Sequence, residues 1–411
     1  MSAARRLPAL DAVRGIALLG ILVVNLPALT LPLAASGLPD PTDAWDIAAW
    51  VPVKLLFETK FLVLFSLLFG MGAALQQGSA EARGQAFGPA WRKRMGVLAI
   101  IGLLHAWLVW SGDILLHYAL VGLFLPPLLR LSDRVLVPLV AALLAVPWLV
   151  GVVGHAVLAG LDGAAAPGLA LADAPTWVQS MAGAGFDPRS AAFQAAESWV
   201  WNRGSAEDQL ILRAGTWAGF QAVLLATLQP LRTLAIFLLG ARLWRAGLFR
   251  AEGAPIRAAL ARWGLGVGLA CEAVVIGLHA LAGFHEAHPL AVVAEGIHGI
   301  SGLAVGLGLA GGLAWLGMHP VFGRLLTPLA RAGRMALTSY LGHSVAGLVL
   351  VGLVGFGVIH RAWHLPLALF IVAAQVGLAL WWLDRFRMGP VEWVWRALTH
   401  GKAPAFLGAA R

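Results

Sequence analysis

The 411-residue chain is 60% hydrophobic and only 12% charged, and its mean hydropathy of +0.81 excludes an ordinary soluble domain. Its net charge of +9 does not mark a nucleic-acid binder, because the Lys and Arg residues punctuate apolar segments and form no basic stripe interleaved with aromatics. The single cysteine, Cys271, lies in an apolar run as a small buried hydrophobe and excludes a disulfide framework or a multi-cysteine metal site, so no metal is expected.

Apolar windows between charge-bearing gaps predict an all-α, polytopic transmembrane helix bundle of about ten spans, at roughly 12–33, 50–77, 95–111, 114–131, 135–160, 214–241, 263–283, 290–317, 335–358 and 365–384. The first is expected to be a retained span, since no small-residue cleavage pattern follows it. Twenty-two of the 29 cations fall in the gaps of one face, and Lys54, Lys60, Arg189, Arg203, Arg213 and Arg361 are assigned to the other. By the positive-inside rule both termini are then cytoplasmic.

Span one opens with "LDAVRGIALLGILVVN", residues 10–25, in which three polar groups interrupt a lipid-compatible run. Asp11 and Arg14 are three apart and can pair at headgroup level. Asn25 follows Arg14 by eleven residues, about three turns and roughly 16 Å, so one helix face offers a cation at the cytoplasmic end and an amide deeper in. A ligand lying along the membrane normal requires that pattern. Spans three and four repeat it: the cluster Arg92, Lys93 and Arg94 leads to His105, and the Gly112-Asp113 turn delivers the chain into His117 and Tyr118. The cluster serves either as topological charge or as a phosphate site. Asp113 is placed to cap span four, and at four residues' distance it can also form an acid–base pair with His117.

The piece at about 161–213 is expected to face outward as an interfacial lid, carrying Asp162, Asp173, Asp187, Glu197, Glu207 and Asp208 among several Trp residues. The basic gap after span six divides the chain into an N-terminal part, 1–241, and a C-terminal part, 242–411. Ionisable groups within the lipid zone are few: His105, His117, Arg232, Glu272, Glu295, His298 and His343. Glu295, His298 and Ser301 are spaced by three and form a polar seam, either for interhelical hydrogen bonding or for chemistry. Glu392 and Arg396 in "EWVWR" are expected to make a helical salt bridge, and Trp393 and Trp395 suit an interfacial helix. Gly-rich stretches such as "GLAVGLGLAGG" follow no strand and read as close helix packing.

Five separated motifs, "LDAVRGIALLGILVVN", "KFLVLFSLLFGMG", "RKRMGVLAIIGLLHAWLVWSGDILLHYAL", "GRMALTSYLGHS" and "GPVEWVWRALTHGK", together resemble the YeiB-like bacterial inner-membrane proteins, a domain family of unknown function. That family looks distantly similar to the heparan-alpha-glucosaminide N-acetyltransferases and to OafA-type acyltransferases. The resemblance implies acyl transfer from cytoplasmic acyl-coenzyme A, acetyl-coenzyme A in the first instance, to an acceptor such as a sugar on the far side. It also implies a homodimer. The OafA-type pattern has Arg, ten residues, then His; here Arg14 is followed at that spacing by Asn25. The glucosaminide enzymes share the Asn but place a His just before span two, where this chain has Asp43, Asp46 and Glu58. Similar proteins commonly read Asn-Tyr-Leu-x-Gln-Ser near the end, and Ser339 and His343 replace the Asn and Gln.

On this reading His105 or His117, oriented by Asp113, is the catalytic base, and the Asn25 amide donates to the oxyanion. Arg14, Arg92, Arg94 and Arg334 anchor the phosphates of coenzyme A. The other partners are membrane lipid and the acyl acceptor, with no nucleic acid. A transporter of a small anionic or hydrophobic solute is the alternative, with Arg232, Glu272 and Glu295 along its path.

Overall fold

A computed structural model describes residues 7–32, 34–161 and 191–407, so most of the predicted outward lid, including Asp162, Asp173 and Asp187, lies outside the described residues. The described residues contain no strand; one isolated bridge joins Phe386 and Leu407. Helix α1 (Pro8–Thr30) starts with Pro at its first position, carries Asp11 in its first turn and ends at the extended Leu31. Next come α2 (Ala44–Leu56), α3 (Lys60–Glu81), α4 (Phe87–Leu108), α5 (Leu115–Gly122), α6 (Leu125–Leu128) and α7 (Asp133–Leu161). After the gap follow α8 (Ala191–Arg203), α9 (Ala206–Ala226) and α10 (Gln229–Arg245). A short α11 (Ala254–Ala259) leads through a π-helical turn at Leu260–Leu265 into α12 (Gly266–Leu281). The remainder is α13 (Pro289–Met318), α14 (Pro320–Leu325), α15 (Thr327–Gly333), α16 (Ala336–Val354), α17 (His364–Arg385) and α18 (Pro390–His400).

All ten predicted apolar segments are helical, but among the described residues seven helical stretches are long and apolar enough to cross a membrane, or eight if the bent pair α9–α10 is one span. The segment predicted at 114–131 is the clearest departure. Its helix breaks at Leu123–Phe124, ahead of Pro126-Pro127, because two prolines cannot donate to the preceding turn. Two long spans are also interrupted. Between α2 and α3, Thr59 takes φ 62°, and between α9 and α10, Leu228 takes φ 54° with a 71° bend. Backbone broken at membrane depth persists only where protein or a cavity satisfies it.

The main apolar core draws Leu10, Val13, Leu64, Met71, Met95, Tyr118, Phe237 and Tyr340 from helices distributed along the whole chain. Small residues set its closest approaches. A Cβ on Gly70 would lie 1.8 Å from the Phe237 carbonyl oxygen, and one on Gly240 would lie 2.1 Å from that of Leu67, so α3 and α10 meet backbone to backbone. Gly70→Val is therefore expected to cost at least about 1–3 kcal/mol through forced separation of these helices, read as a lowered Tm in nanodiscs with secondary structure retained below it. An unchanged Tm would mean that the pair is looser than its geometry.

Candidate functional site: a basic cavity and a buried Asp–His–Ser array

Arginines from five of the basic segments, Arg14, Arg94, Arg250, Arg334, and Arg387 with Arg396, line one cavity, and their side of the bundle is called here the basic end. From it the cavity, of about 700 Å³, runs inward between α1, α3, α4, α5, α16 and α18. Along α3 its lining extends from Ser79 to Phe65, fourteen residues, or about 21 Å at 1.5 Å per residue. That depth is about two thirds of a hydrocarbon core.

Its mouth and walls carry Arg14, Arg94, Arg250, Arg334, Arg387 and Arg396, against two carboxylates, Asp11 and Glu392. Asp11 lies 3.0 Å from Arg14 and holds it as the helix spacing predicts. A Cβ on Gly72 would come 3.6 Å from Arg14 Nη2, so the guanidinium passes over a bare stretch of α3. Arg94 stacks on Trp395, 3.7 Å from guanidinium carbon to ring centroid, while Trp395 Nε1 donates to the Arg94 carbonyl.

Glu392 does not pair with Arg396. Its carboxylate accepts from the backbone N–H groups of Leu337 at 2.6 Å and Thr338 at 3.0 Å, and from the Thr338 hydroxyl, so α18 caps the first turn of α16. Four residues away along its own helix, Arg396 is left to face the cavity. Burial raises the Glu392 carboxyl above its ordinary pKa, against the pull of the Thr338 hydrogen bonds. The inner end of the cavity is apolar and aromatic, with Phe65, Phe69, Leu98, Leu115 and the rings of Tyr118 and Tyr340. Tyr118 bonds to Ser66, and the Tyr340 hydroxyl accepts from the Ile114 N–H at 3.4 Å.

One side-chain layer beyond Tyr340 lies a buried polar array. His105 Nδ1 is 2.7 Å from Asp113 Oδ2, and His105 Nε2 is 2.9 Å from Ser344 Oγ. Asp113 is fully buried, and its other oxygen accepts from the Leu116 N–H in the first turn of α5. The predicted cap is thus present. The imidazole partner differs: Asp113 precedes α5 and turns back toward α4, whereas His117, one turn further on, faces α10 and lies 2.9 Å from Thr233 Oγ1. A Gly102 Cβ would meet the Leu116 nitrogen at 2.4 Å, and this close packing of α4 on α5 carries His105 to Asp113.

Tyr340, Ser344 and Leu348 are spaced by four along α16 and share one face. Tyr340 lines the large cavity, and Leu348, with Trp110, Ser111 and Arg213, lines a small recess of about 20 Å³ on the opposite side. Ser344 and His105 therefore lie between two voids.

Of the residues singled out from sequence, Arg14, Arg94 and Arg334 come together in the cavity, and His105 and Asp113 come together beside it. Arg92 is exposed and Asn25 half-buried, and neither lines the cavity. Sequence reading missed Ser344, although it closes the motif "GRMALTSYLGHS", and missed Arg250, Arg387 and Arg396, which lie near the cavity only after folding.

A second polar site lies deeper. Lys54 and Lys60, assigned from sequence to the face opposite the basic loops, are 2% and 0% exposed and sit inside the bundle. The broken α2–α3 span turns them inward, where Lys54 Nζ lies 2.9 Å from Glu295 and Lys60 Nζ 2.9 Å from Glu272. The predicted seam also closes on Glu272: Ser301 Oγ donates to it at 2.7 Å, and His298 Nδ1 is 3.0 Å away.

These features define a polytopic helical membrane protein with a deep basic cavity and buried titratable networks. A family model described as "Protein of unknown function (DUF418)" matches residues 243–402. The chain is 30% identical to "Uncharacterized protein YeiB" of Escherichia coli (strain K12), over 95% of each chain. It is 28% identical to "Uncharacterized protein YxaH" of Bacillus subtilis (strain 168), over 96% of this chain and 94% of that one. The chain belongs to the YeiB-like family. No solved structure matches it.

Proposed function

We propose that this protein is an integral acyltransferase of the bacterial inner membrane, moving an acyl group from cytoplasmic acyl-coenzyme A to a sugar or related cell-envelope acceptor on the outer face. The observation that carries the reading is the cavity itself: six arginines at a mouth beside the basic loops, an aromatic inner end, and His105–Asp113–Ser344 immediately beyond. Arg14, Arg94 and Arg334, joined by Arg396, would bind the donor's phosphates, and the apolar channel along α3 would take its acyl-bearing arm.

Asp113 would fix the His105 tautomer, His105 would take the Ser344 proton, and Ser344 Oγ would attack the thioester carbonyl. The carbon–sulfur bond breaks, His105 returns the proton to the departing thiolate, and an acyl-Ser344 remains. An acceptor hydroxyl or amine entering from the recess side would then attack that ester, give its proton to His105 and restore Ser344. The Tyr340 O–H, which has no acceptor among the described residues, is the donor best placed near the developing oxyanion.

Incubating nanodisc-embedded protein with acetyl-coenzyme A labelled in the acetyl group tests the reading. The expected result is a hydroxylamine-labile label on Ser344, with donor binding weakened at least tenfold in Arg94→Gln/Arg396→Gln and falling with added salt. A protein that neither binds the donor at millimolar concentration nor retains label is not this enzyme.

The charged network of Lys54, Glu58, Lys60, Glu272 and Glu295, between two broken spans, favours a second reading as a solute carrier. Transport of an anion through the basic cavity, with no acyl label, would select it.

A further inference from the structure

The deep network has a geometry that neither of these readings requires. It sits about 9–18 Å along α13 from the end opposite the basic loops, taking Glu295 as six residues and Ser301 as twelve residues after Pro289. Its members pair closely. Lys54 lies between Glu58 at 3.2 Å and Glu295 at 2.9 Å, and Lys60 donates to the Lys54 carbonyl while pairing with Glu272. His279 Nε2 is 3.1 Å from Glu295. From α10, Arg232 reaches α13 but donates to the Gly299 carbonyl and makes no ion pair among the described residues.

His279 Nδ1 is buried without a hydrogen bond, but among the described residues only His298 has a carboxylate within 4 Å of each ring nitrogen. Its Nδ1 lies 3.1 and 3.0 Å from the two oxygens of the fully buried Glu272. Its Nε2 is buried without a hydrogen bond and lies 3.7 Å from Glu58 Oε1. A neutral imidazole carries one N–H. With that hydrogen directed at Glu272, the Nε2 lone pair would face a second carboxylate, an arrangement that is repulsive in a low-dielectric interior. A proton on Nε2 turns both contacts into attractions.

The charge count leads to the same place. Two lysines pair with three carboxylates, Glu58, Glu272 and Glu295, so the ion-paired cluster itself carries one negative charge, while the nearby Arg232 is held on the Gly299 carbonyl and pairs with none of the three. Isolated charge at membrane depth is costly, so the neutral assembly is favoured. The side chains of Glu58 and Glu295 are 35% and 27% exposed while those of Lys60 and Glu272 are sealed, which makes Glu58 the outer of the two carboxylates beside His298.

We propose that this network is a proton-binding site: it holds one exchangeable proton at His298, between the buried Glu272 and the partly exposed Glu58, and exchanges it from the side opposite the basic cavity. The transfer is a simple relay in which Glu58 passes a proton to His298 Nε2 while Nδ1–H stays directed at Glu272. Because α3 begins at Lys60 and its later turns line the cavity, the proton lies at one end of a helix that forms the cavity wall.

Infrared spectra of the full chain in nanodiscs, with ring-labelled histidine, test this. At neutral pH the wild-type spectrum minus that of His298→Asn is expected to show one imidazolium. Glu295→Gln removes one negative charge and is expected to abolish that signal, while Lys54→Met removes one positive charge and is expected to add one bound proton, seen as a new carboxylic-acid or imidazolium band. Should His298→Asn fail to fold, the wild-type and Glu295→Gln spectra decide between them. A neutral imidazole at position 298, or a proton content unchanged by Glu295→Gln and Lys54→Met, overturns the proposal.

Discussion

Glu272→Ala is expected to destabilise the protein by about 3–5 kcal/mol, the cost of leaving a buried charge without its partner. Lys60 and Glu272 are both 0% exposed, and Glu272 also accepts from Ser301 and holds His298. Deleting the carboxylate strands an ammonium and an imidazole together in a sealed site. The double change Lys60→Met/Glu272→Leu is expected to recover most of the loss, because replacing a whole buried pair by apolar groups of similar volume is close to neutral. Denaturant unfolding in mixed micelles checks both, and a Glu272→Ala protein within 1 kcal/mol of wild type would mean that the site is hydrated.

The second large effect concerns turnover. Asp113→Asn keeps the shape of the array but no longer stabilises the imidazolium or fixes the His105 tautomer, and in a triad this change lowers kcat by about 10⁴-fold. His105→Ala and Ser344→Ala are expected to be as severe, and the losses should not add when combined, since the three groups act as a unit. His117→Ala is expected to stay near wild type, because that ring bonds to Thr233 and does not line the large cavity. Donor binding measured alongside should be unchanged in all of them. Equal turnover for His105→Ala and His117→Ala would remove the array from the chemistry.

Much of the bundle was legible in the sequence because hydrocarbon imposes a simple rule: a run of about twenty apolar residues must be helical to satisfy its own backbone. Arg14, Arg94 and Arg334 were legible for a related reason, as cations at the ends of apolar runs gather on one face and a deep void between those runs is lined by them. His105 and Asp113 stood out as polar groups that hydrocarbon tolerates only with a partner. Ser344 did not, since a serine inside a membrane helix is commonly bonded to its own backbone and carries no distinguishing pattern.

The sequence by itself determined the solvent, the helical class and the set of side chains that needed partners, because composition and local periodicity are properties of neighbouring residues. Only the tertiary structure decided which partners they found. Asp113 took His105 over His117, Glu392 took the start of α16 over Arg396, and Lys54 and Lys60 turned inward to Glu295 and Glu272. The first is settled over only eight residues by how α4 packs on α5, whereas the others join residues more than fifty apart, and the lysines also depend on the break at Thr59, φ 62°, that redirects a helix. Such long-range pairing is set by how whole helices pack, and no short stretch of sequence contains that information.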